Sequence, residues 1–578
     1  MKSKNILAAM TLIIGSMLTN VFAQTDQGRI VGTITDSVGA VVPGAAIVVR
    51  NEKTGEERTF KTSGNGAYIV ANLKPSFYTI KVSASGFAVV EQTSVQLSVG
   101  QELNFNATLQ PEGASAVVNV VSVSEAAINT ASASMSANVN QREVDGLPVN
   151  GRQLSQLYLQ APGAQNSGSG TFGDIRFSGR AVQQNVVRYD GVEGSAVIDA
   201  SPGNLNGESA SPFRLQSSLE NVQEFRVDSS NFPAEYGTGT GGQINVVTKS
   251  GGNEFHGSAF EYLRRSNLDS RNFFDNIAPD LPKSDLKLDQ FGGSIGGPII
   301  KNRLFFFASY EGYRVRSGLN FVEAAPSLSL AQTGALIPGT NTPVNPSIQP
   351  FIAAFRSPDA VVIPGATSAA GFDIVQLNDN ARTTENAYSL RLDYKANDNN
   401  SFYFRFFRDN AEDDTPEGIS GRRVRVEATP QNGVFSWQSI LGTNKVNEFR
   451  IGYNGAKTRI NGFAPTINGF DLSAVTINIS GSVAQSGIAG QGSSSGVSVP
   501  GGLVRANSAT NGRGQPYTPY SLSFIDSYNW TPANHNLKFG GEVRLIRLFT
   551  DRLGGTTYTF SNLNAFLNNS PSSIQYLG

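Results

Sequence analysis

The chain has 578 residues, too many for one ordinary domain, and 45 basic residues balance 46 acidic ones, so nothing marks a nucleic-acid surface. It has no cysteine and two histidines, which excludes a disulfide framework and any cysteine-based metal or nucleophile site. Its 61 glycines and 35 phenylalanines, without Leu-rich helical periodicity, point to many short strands and turns.

At the N-terminus Lys2 and Lys4 precede an apolar run over 6–18, and Val21-Phe22-Ala23 offers a small-residue cleavage site. At about 1.5 Å per residue this run falls short of a bilayer core of ~30 Å. The pattern predicts a signal peptide over 1–23 and an exported protein. No later run of 18 apolar residues follows, so a membrane-embedded mature chain must cross as a closed barrel.

Residues 28–110 alternate apolar and polar, with Ile30, Gly32 and Ile34 followed by turn signals at Thr35-Asp36 and Pro43-Gly44. Strands are predicted over 46–50, 68–71, 78–84 and 94–97, with Asn65-Gly66 as a type I′ hairpin turn. About seven short strands in such a length make a small β-sandwich. The order GxIxGxITDxxGAxxPGAxI, then TSGNGAYxxxxLxPxxYxIxVxxxGF, resembles the transthyretin-like regulatory domain found beside metallocarboxypeptidases and at the N-terminus of many outer-membrane receptors. Ser76 departs from it, standing after Pro75 where that family has Gly. Residues 111–135 are rich in Ala, Ser and Val and read as a linker, with one β-prone island, VVNVVSV, at 117–123.

Residues 136–252 mix helical and strand signals. Short helices are predicted over 141–147 and 153–159, punctuated by Pro148 and Pro162, and strands over 185–189, 219–227 and 243–248. Asp190-Gly191 reads as a turn. LPVNGRQLSQLYLQAPG, RYDGV and LENVQEFRV…PAEYGTGTGGQINVVTKSGG resemble the plug domain of TonB-dependent outer-membrane receptors, Oar-like in carrying the regulatory sandwich. The last of these runs into NEFHGSAFEYLRR, which resembles that family's first barrel strand. The resemblance implies a plug over 136–252 and a barrel over 253–578. Gly237, Gly239 and Gly242 formally match GxGxxG, but a strand follows where a dinucleotide site needs a helix. With Gly251 and Gly252 they are read as the hinge between plug and barrel.

From 255 on, nine strands are predicted, over 255–264, 286–296, 303–315, 386–395, 401–408, 434–441, 445–453, 521–529 and 536–548. Connections at 396–400, 442–444 and 530–535 are short, whereas those at 316–385, 409–433 and 454–520 are long, as in an outer-membrane barrel. Tyr388, Leu390, Leu392 and Tyr394 alternate with Ser389, Arg391, Asp393 and Lys395, which assigns the first set to lipid and the second to the lumen. Phe449, Ile451 and Tyr453 against Glu448 and Arg450 repeat the pattern. At this strand density a plugged transporter of ~22 strands needs a longer chain, so the barrel is expected to be truncated at its C-terminal side.

Chemistry has few candidates. His256 sits in a strand and His535 in a turn, neither with partners for a three-ligand zinc site, and Asp413-Asp414 lies in a polar loop. No catalytic residue, cofactor or metal is predicted. Arg180 and Arg188 at the plug apex are expected to pair with carboxylates on the barrel wall, the alternative being contact with an anionic ligand. What the resemblance implies is transport: an inner-membrane TonB-type protein grips a box ahead of the plug by β-strand addition. Val120, Val121, Ser122 and Val123 are the candidate box here. The implied partners are that protein, outer-membrane lipid and a ligand that is a siderophore, saccharide, peptide or vitamin. The implied place is the outer membrane, with plug and sandwich on the periplasmic side. The alternative is an anchored adhesion or scaffold protein whose sandwich binds partners.

Overall fold

The computed structural model describes residues 27–112, 134–166, 175–194, 217–270 (except 233–235 and 238), 285–484 (except 367, 443, 465 and 481), 496–498, 515–550 (except 533, 534 and 536) and 555–577. The expected signal peptide and the candidate box at Val120, Val121, Ser122 and Val123 lie outside the described residues.

Eight strands build the N-terminal unit: β1 (Gly28–Asp36), β2 (Ala46–Asn51), β3 (Glu57–Lys61), β4 (Ala67–Leu73), β5 (Ser76–Ser83), β6 (Val90–Leu97), β7 (Glu102–Asn104) and β8 (Ala107–Leu109). One sheet runs β4-β1-β7 with β8 also on β1, and the other runs β3-β2-β5-β6. Their inward residues, among them Ile30, Ile34, Ile47, Val70, Ile80 and Val82, are fully buried. This is the period-two burial that the alternating sequence demands. The β3–β4 turn departs from expectation. Gly66 is left-handed at φ 74° but Asn65 is not, and the Gly66 N–H donates to Ser63 O at 2.9 Å. It is a three-residue turn ending in a left-handed glycine, not a type I′ pair.

The second unit has β9 (Met135–Val139), the short α1 (Gln141–Gly146), β10 (Ala164–Asn166), β11 (Ile175–Phe177), β12 (Val186–Tyr189), β13 (Val192–Glu193), β14 (Val222–Ser230) and β15 (Gln243–Thr248). Asn140 and Glu143 form a reciprocal capping box that starts α1. The helix predicted over 153–159 is one α-turn, Leu154–Leu157, followed by a 3-10 turn, Tyr158–Gln160. The main sheet runs β13-β12-β15-β14-β9, with β12 and β15 parallel. The strand predicted from 219 begins three residues later, because Leu219–Asn221 forms a 3-10 turn capped by Ser218.

The third unit is a meander: β16 (His256–Arg265), β17 (Leu286–Ile300), β18 (Leu304–Pro326), β19 (Phe372–Lys395), β20 (Asn400–Pro416), β21 (Arg423–Ala428), β22 (Gln431–Ile440), β23 (Lys445–Gly455), β24 (Thr458–Phe463), β25 (Gln515–Trp530) and β26 (Leu537–Thr550). β20 pairs its start with β22 and its end with β21, so β21 and β22 act as one long strand interrupted at Thr429-Pro430. β23 and β24 likewise both pair with β25. Among the described residues the sheet is open, with β16 at one edge and β26 at the other.

Side chains face as expected along β19: Tyr388, Leu390 and Tyr394 are exposed, while Ser389, Arg391 and Asp393 are buried. The strands are much longer at the long-loop end than the sequence reading allowed. β18 and β19 stay paired from Leu304–Tyr394 out to Pro326–Phe372, which shortens the expected loop 316–385 to 327–371. Polar residues such as Asp379, Asn380, Thr383 and Thr384 fill this extension. They interrupt the apolar alternation that announces a strand, although Ile374, Val375 and Leu377 farther out are buried. The long connections also pack together: Leu330, Ile352, Val375, Ile419, Ile479 and Phe566 share one buried apolar cluster.

Candidate functional site

The second unit sits against the inward faces of the third, and the contact is both charged and apolar. Asp190 and Gly191 form the β12–β13 turn, both left-handed at φ 50° and 79°, as a type I′ turn requires. The turn carries the Asp190 carboxylate, 1% exposed, to the wall. Its Oδ2 accepts from Arg405 Nε at 2.9 Å and from Thr248 Oγ1 at 2.8 Å. Its Oδ1 accepts from the Thr248 N–H at 2.9 Å and lies 3.4 Å from Arg391 Nη1. Burial alone pushes this carboxyl up, but Arg405 and then Arg391, helped by Thr248, hold it below its ordinary value. Arg405 also donates from Nη2 to Tyr189 O at 2.9 Å and from Nη1 to Asn432 Oδ1 at 2.6 Å. Arg391 also donates from Nε to Asp393 Oδ2 at 2.8 Å.

A second charged cluster lies under β16–β18. Arg152 donates to Glu220 Oε1 at 2.7 Å and to Glu311 Oε1 at 3.3 Å, and its guanidinium stacks 4.1 Å from the Phe260 ring centroid. Glu311, fully buried on β18, also accepts from Gln290 Nε2 at 2.6 Å and from Ser218 Oγ. Glu220 accepts from Ser258 Oγ at 2.6 Å and Ser294 Oγ at 3.2 Å. Burial opposes ionisation of Glu220, yet Ser258, Lys249 and Arg152 together hold its carboxyl below the ordinary value. Arg544 of β26 pairs with Glu193 of β13. Apolar contacts join these: Tyr189 meets Phe407 edge-on at 5.1 Å, and Val192 clusters with Tyr403, Val434 and Ile525. The absence of a side chain at Gly452 makes room for this, since an added Cβ would lie 2.6 Å from Val192 Cγ1.

The residues singled out in the sequence fall in different places. Gly237 has open space around it, and Gly239 is left-handed at φ 71° against Val186 and Gln184 O. An added Cβ at Gly242 would overlap the Phe177 ring, at Gly251 the backbone of Phe306, and at Gly252 the Lys53 side chain. The last four are thus sites of close approach. Arg188 is buried and donates to Gln243 Oε1 at 2.6 Å, with Tyr236 5.2 Å beneath its guanidinium. Burial lowers its pKa, opposed first by Glu193 of its own unit. Arg180 donates to Thr240 O. Glu542 of the wall strand β26 also acts on Arg188 electrostatically. His256 lies on β16 with Nδ1 3.2 Å from Glu254 O. Asp190, Arg152, Glu220 and Glu311, the groups that hold the seat, were not singled out. Only the DG turn hinted at the first.

Three comparisons bear on these units. The family model described as an outer membrane beta barrel domain matches residues 247–577, and the carboxypeptidase regulatory-like domain matches 29–110. The chain is 29% identical over 323 residues to the TonB-dependent transporter Oar of Myxococcus xanthus, covering 54% of this chain and 28% of that protein. Among solved structures, the outer membrane transporter YddB from Escherichia coli aligns at 14% identity over 77% of this chain and 53% of that one, with a TM-score of 0.48. The Pseudomonas aeruginosa receptor FpvA, solved with heterologous pyoverdines, aligns at 11% identity over 73% and 54%, with a TM-score of 0.38. The chain therefore spans about half the length of these structural neighbours, and less of the Oar relative.

Proposed function

This chain belongs to the outer membrane beta barrel family, whose model spans more than half of it, and from that premise we propose that it is a TonB-dependent receptor importing a scarce or large ligand. The outer membrane is its place, and a barrel crosses it with strands. The observation that carries the transport reading is the seat of the plug. Asp190 is enclosed by Arg391 and Arg405, and Arg152 joins Glu220 to Glu311. An anchor has no need of a separate folded unit held in its lumen by buried charge. A gate does, since it must seat through side-chain contacts, here buried ion pairs beside a few apolar ones, that can part while both units stay folded.

The short-turn end is read as periplasmic, and with it the plug and the sandwich. The outer membrane supplies no nucleotide, so force from an inner-membrane TonB-type protein, gripping Val120, Val121, Ser122 and Val123 by strand addition, moves the plug. The glycines at 237, 239, 242, 251 and 252 serve as its hinge. Siderophore, saccharide, peptide and vitamin are the ligand classes in view, and the chemistry is transport rather than catalysis.

The test is capture of the full chain, in detergent, by a purified periplasmic domain of a TonB-type protein. Deleting residues 117–123 should abolish capture while leaving the protein in the outer membrane. Capture undiminished by the deletion sinks the assignment of the box. An anchored adhesin would show no capture at all.

A further inference from the structure

The sandwich does not hang free below the barrel. Lys74 Nζ donates to Asp393 Oδ1 of β19 at 3.2 Å. Arg58 Nη2 donates to Gln438 Oε1 of β22 at 2.5 Å, and Gln438 Nε2 returns a bond to Asn72 O at 3.2 Å. Gln27 Nε2 donates to Glu448 Oε2 of β23 at 2.8 Å, and Asn529 Nδ2 of β25 donates to Asn72 Oδ1 at 2.9 Å. Asn72 is left-handed at φ 54°, which lets one residue present both oxygens to two strands.

The four wall residues lie near the strand ends at the short turns. Gln438 and Glu448 are direct cross-strand partners, and all four are at most 8% exposed. They face the lumen and are covered by the sandwich. The sandwich also grips the plug, all through β14 and its neighbours: Gln223 Nε2 donates to Pro75 O at 3.1 Å, Arg226 Nη1 to Gly100 O at 3.3 Å, and the Val99 N–H to Glu224 Oε1.

The character of this contact differs from that of the plug. Phe407 belongs to the plug's own apolar core, and Val192 is buried with three wall residues. The sandwich core holds only residues between 30 and 109, and no described apolar cluster crosses from it to the wall. A junction made of amides and charges, without a greasy centre, is the kind that forms and separates as folded pieces.

We propose that the β-sandwich is a second stopper, docked across the short-turn mouth of the barrel and against β14, which must undock before the plug can leave. This deepens the transporter reading and rests on it for the undocking step, whereas the docked state stands on geometry alone.

The chain has no cysteine, so Asn72→Cys with Asn529→Cys gives a sole thiol pair. A short bis-maleimide linker applied to outer-membrane fractions holding the full chain should join this pair in most molecules. Lys74→Glu, which sets a carboxylate against Asp393, should lower the yield roughly fivefold. Heat-modifiable mobility reports that each variant has folded. A yield no higher than that of an exposed pair such as Val38→Cys with Val361→Cys overturns the docked state. So does indifference to Lys74→Glu in a folded protein. In intact cells, collapsing the proton gradient with a protonophore should raise the yield above that of energised cells. An unchanged yield overturns undocking under load when the periplasmic TonB domain still captures the protein. When that capture also fails, the transporter reading is what falls, and the docked state is judged by the membrane fractions.

Discussion

At Asp190 two guanidinium groups and Thr248 converge on a carboxylate with 1% exposure. Removing its charge takes that carboxylate from the fully buried Arg405, while Arg391 keeps Asp393. Asp190→Asn should therefore cost about 3–5 kcal/mol of plug seating, the range for breaking a buried ion pair from one side. The urea midpoint for release of the plug, followed by protease access, measures it. The sequence could not show this arrangement. Asp190 stands 201 and 215 residues from its two arginines, and a single sequence carries no trace of such a pairing. Glu224 supplies the pH dependence. Burial raises its carboxyl to about 7 against the opposing Val99 N–H bond. A raised value means that the docked state binds a proton the separated state has released. Its contribution is full below the ordinary carboxylate value and is lost as pH rises through about 7. Sandwich–plug separation in urea should therefore come earlier near pH 8 than near pH 5, and Glu224→Gln should flatten that difference.

At the level of strands, the sequence was legible wherever one face met lipid. Aromatic and aliphatic residues alternate along β19 and β23, nine strands were expected, and nine long strands form the meander, two of them interrupted. It was illegible farther out, where β18 and β19 run on through polar residues and then pack under the long connections. It was equally blind to the apolar cluster among the long connections, whose members come from segments too short to show a period. Leu392 tests the facing directly. It lies between Phe306 and Phe404 on neighbouring strands, in the row that includes exposed Leu390 and Tyr394. Leu392→Arg should destabilise the barrel by ~2–4 kcal/mol if it lies near the bilayer midplane. Denaturant titration in liposomes reads the change, and a neutral result removes Leu392 from the lipid face.

The whole molecule is three units in mutual contact. A wall of long strands carries inward-facing charges, a small mixed sheet is pinned to those charges, and a β-sandwich is hydrogen-bonded beneath both. The composition and turn chemistry announced each unit separately. Their contacts were not announced, because every one joins residues remote in sequence. The central claim is that the plug moves within the wall when the linker ahead of it is pulled. Ser309 offers a direct test: it lies on β18, 9% exposed, with its hydroxyl on Asn221 of the plug. In the cysteine-free chain, Ser309→Cys should react with an externally added maleimide in energised cells. It should stay protected after protonophore treatment or deletion of residues 117–123. Equal labelling under all three conditions would contradict the account.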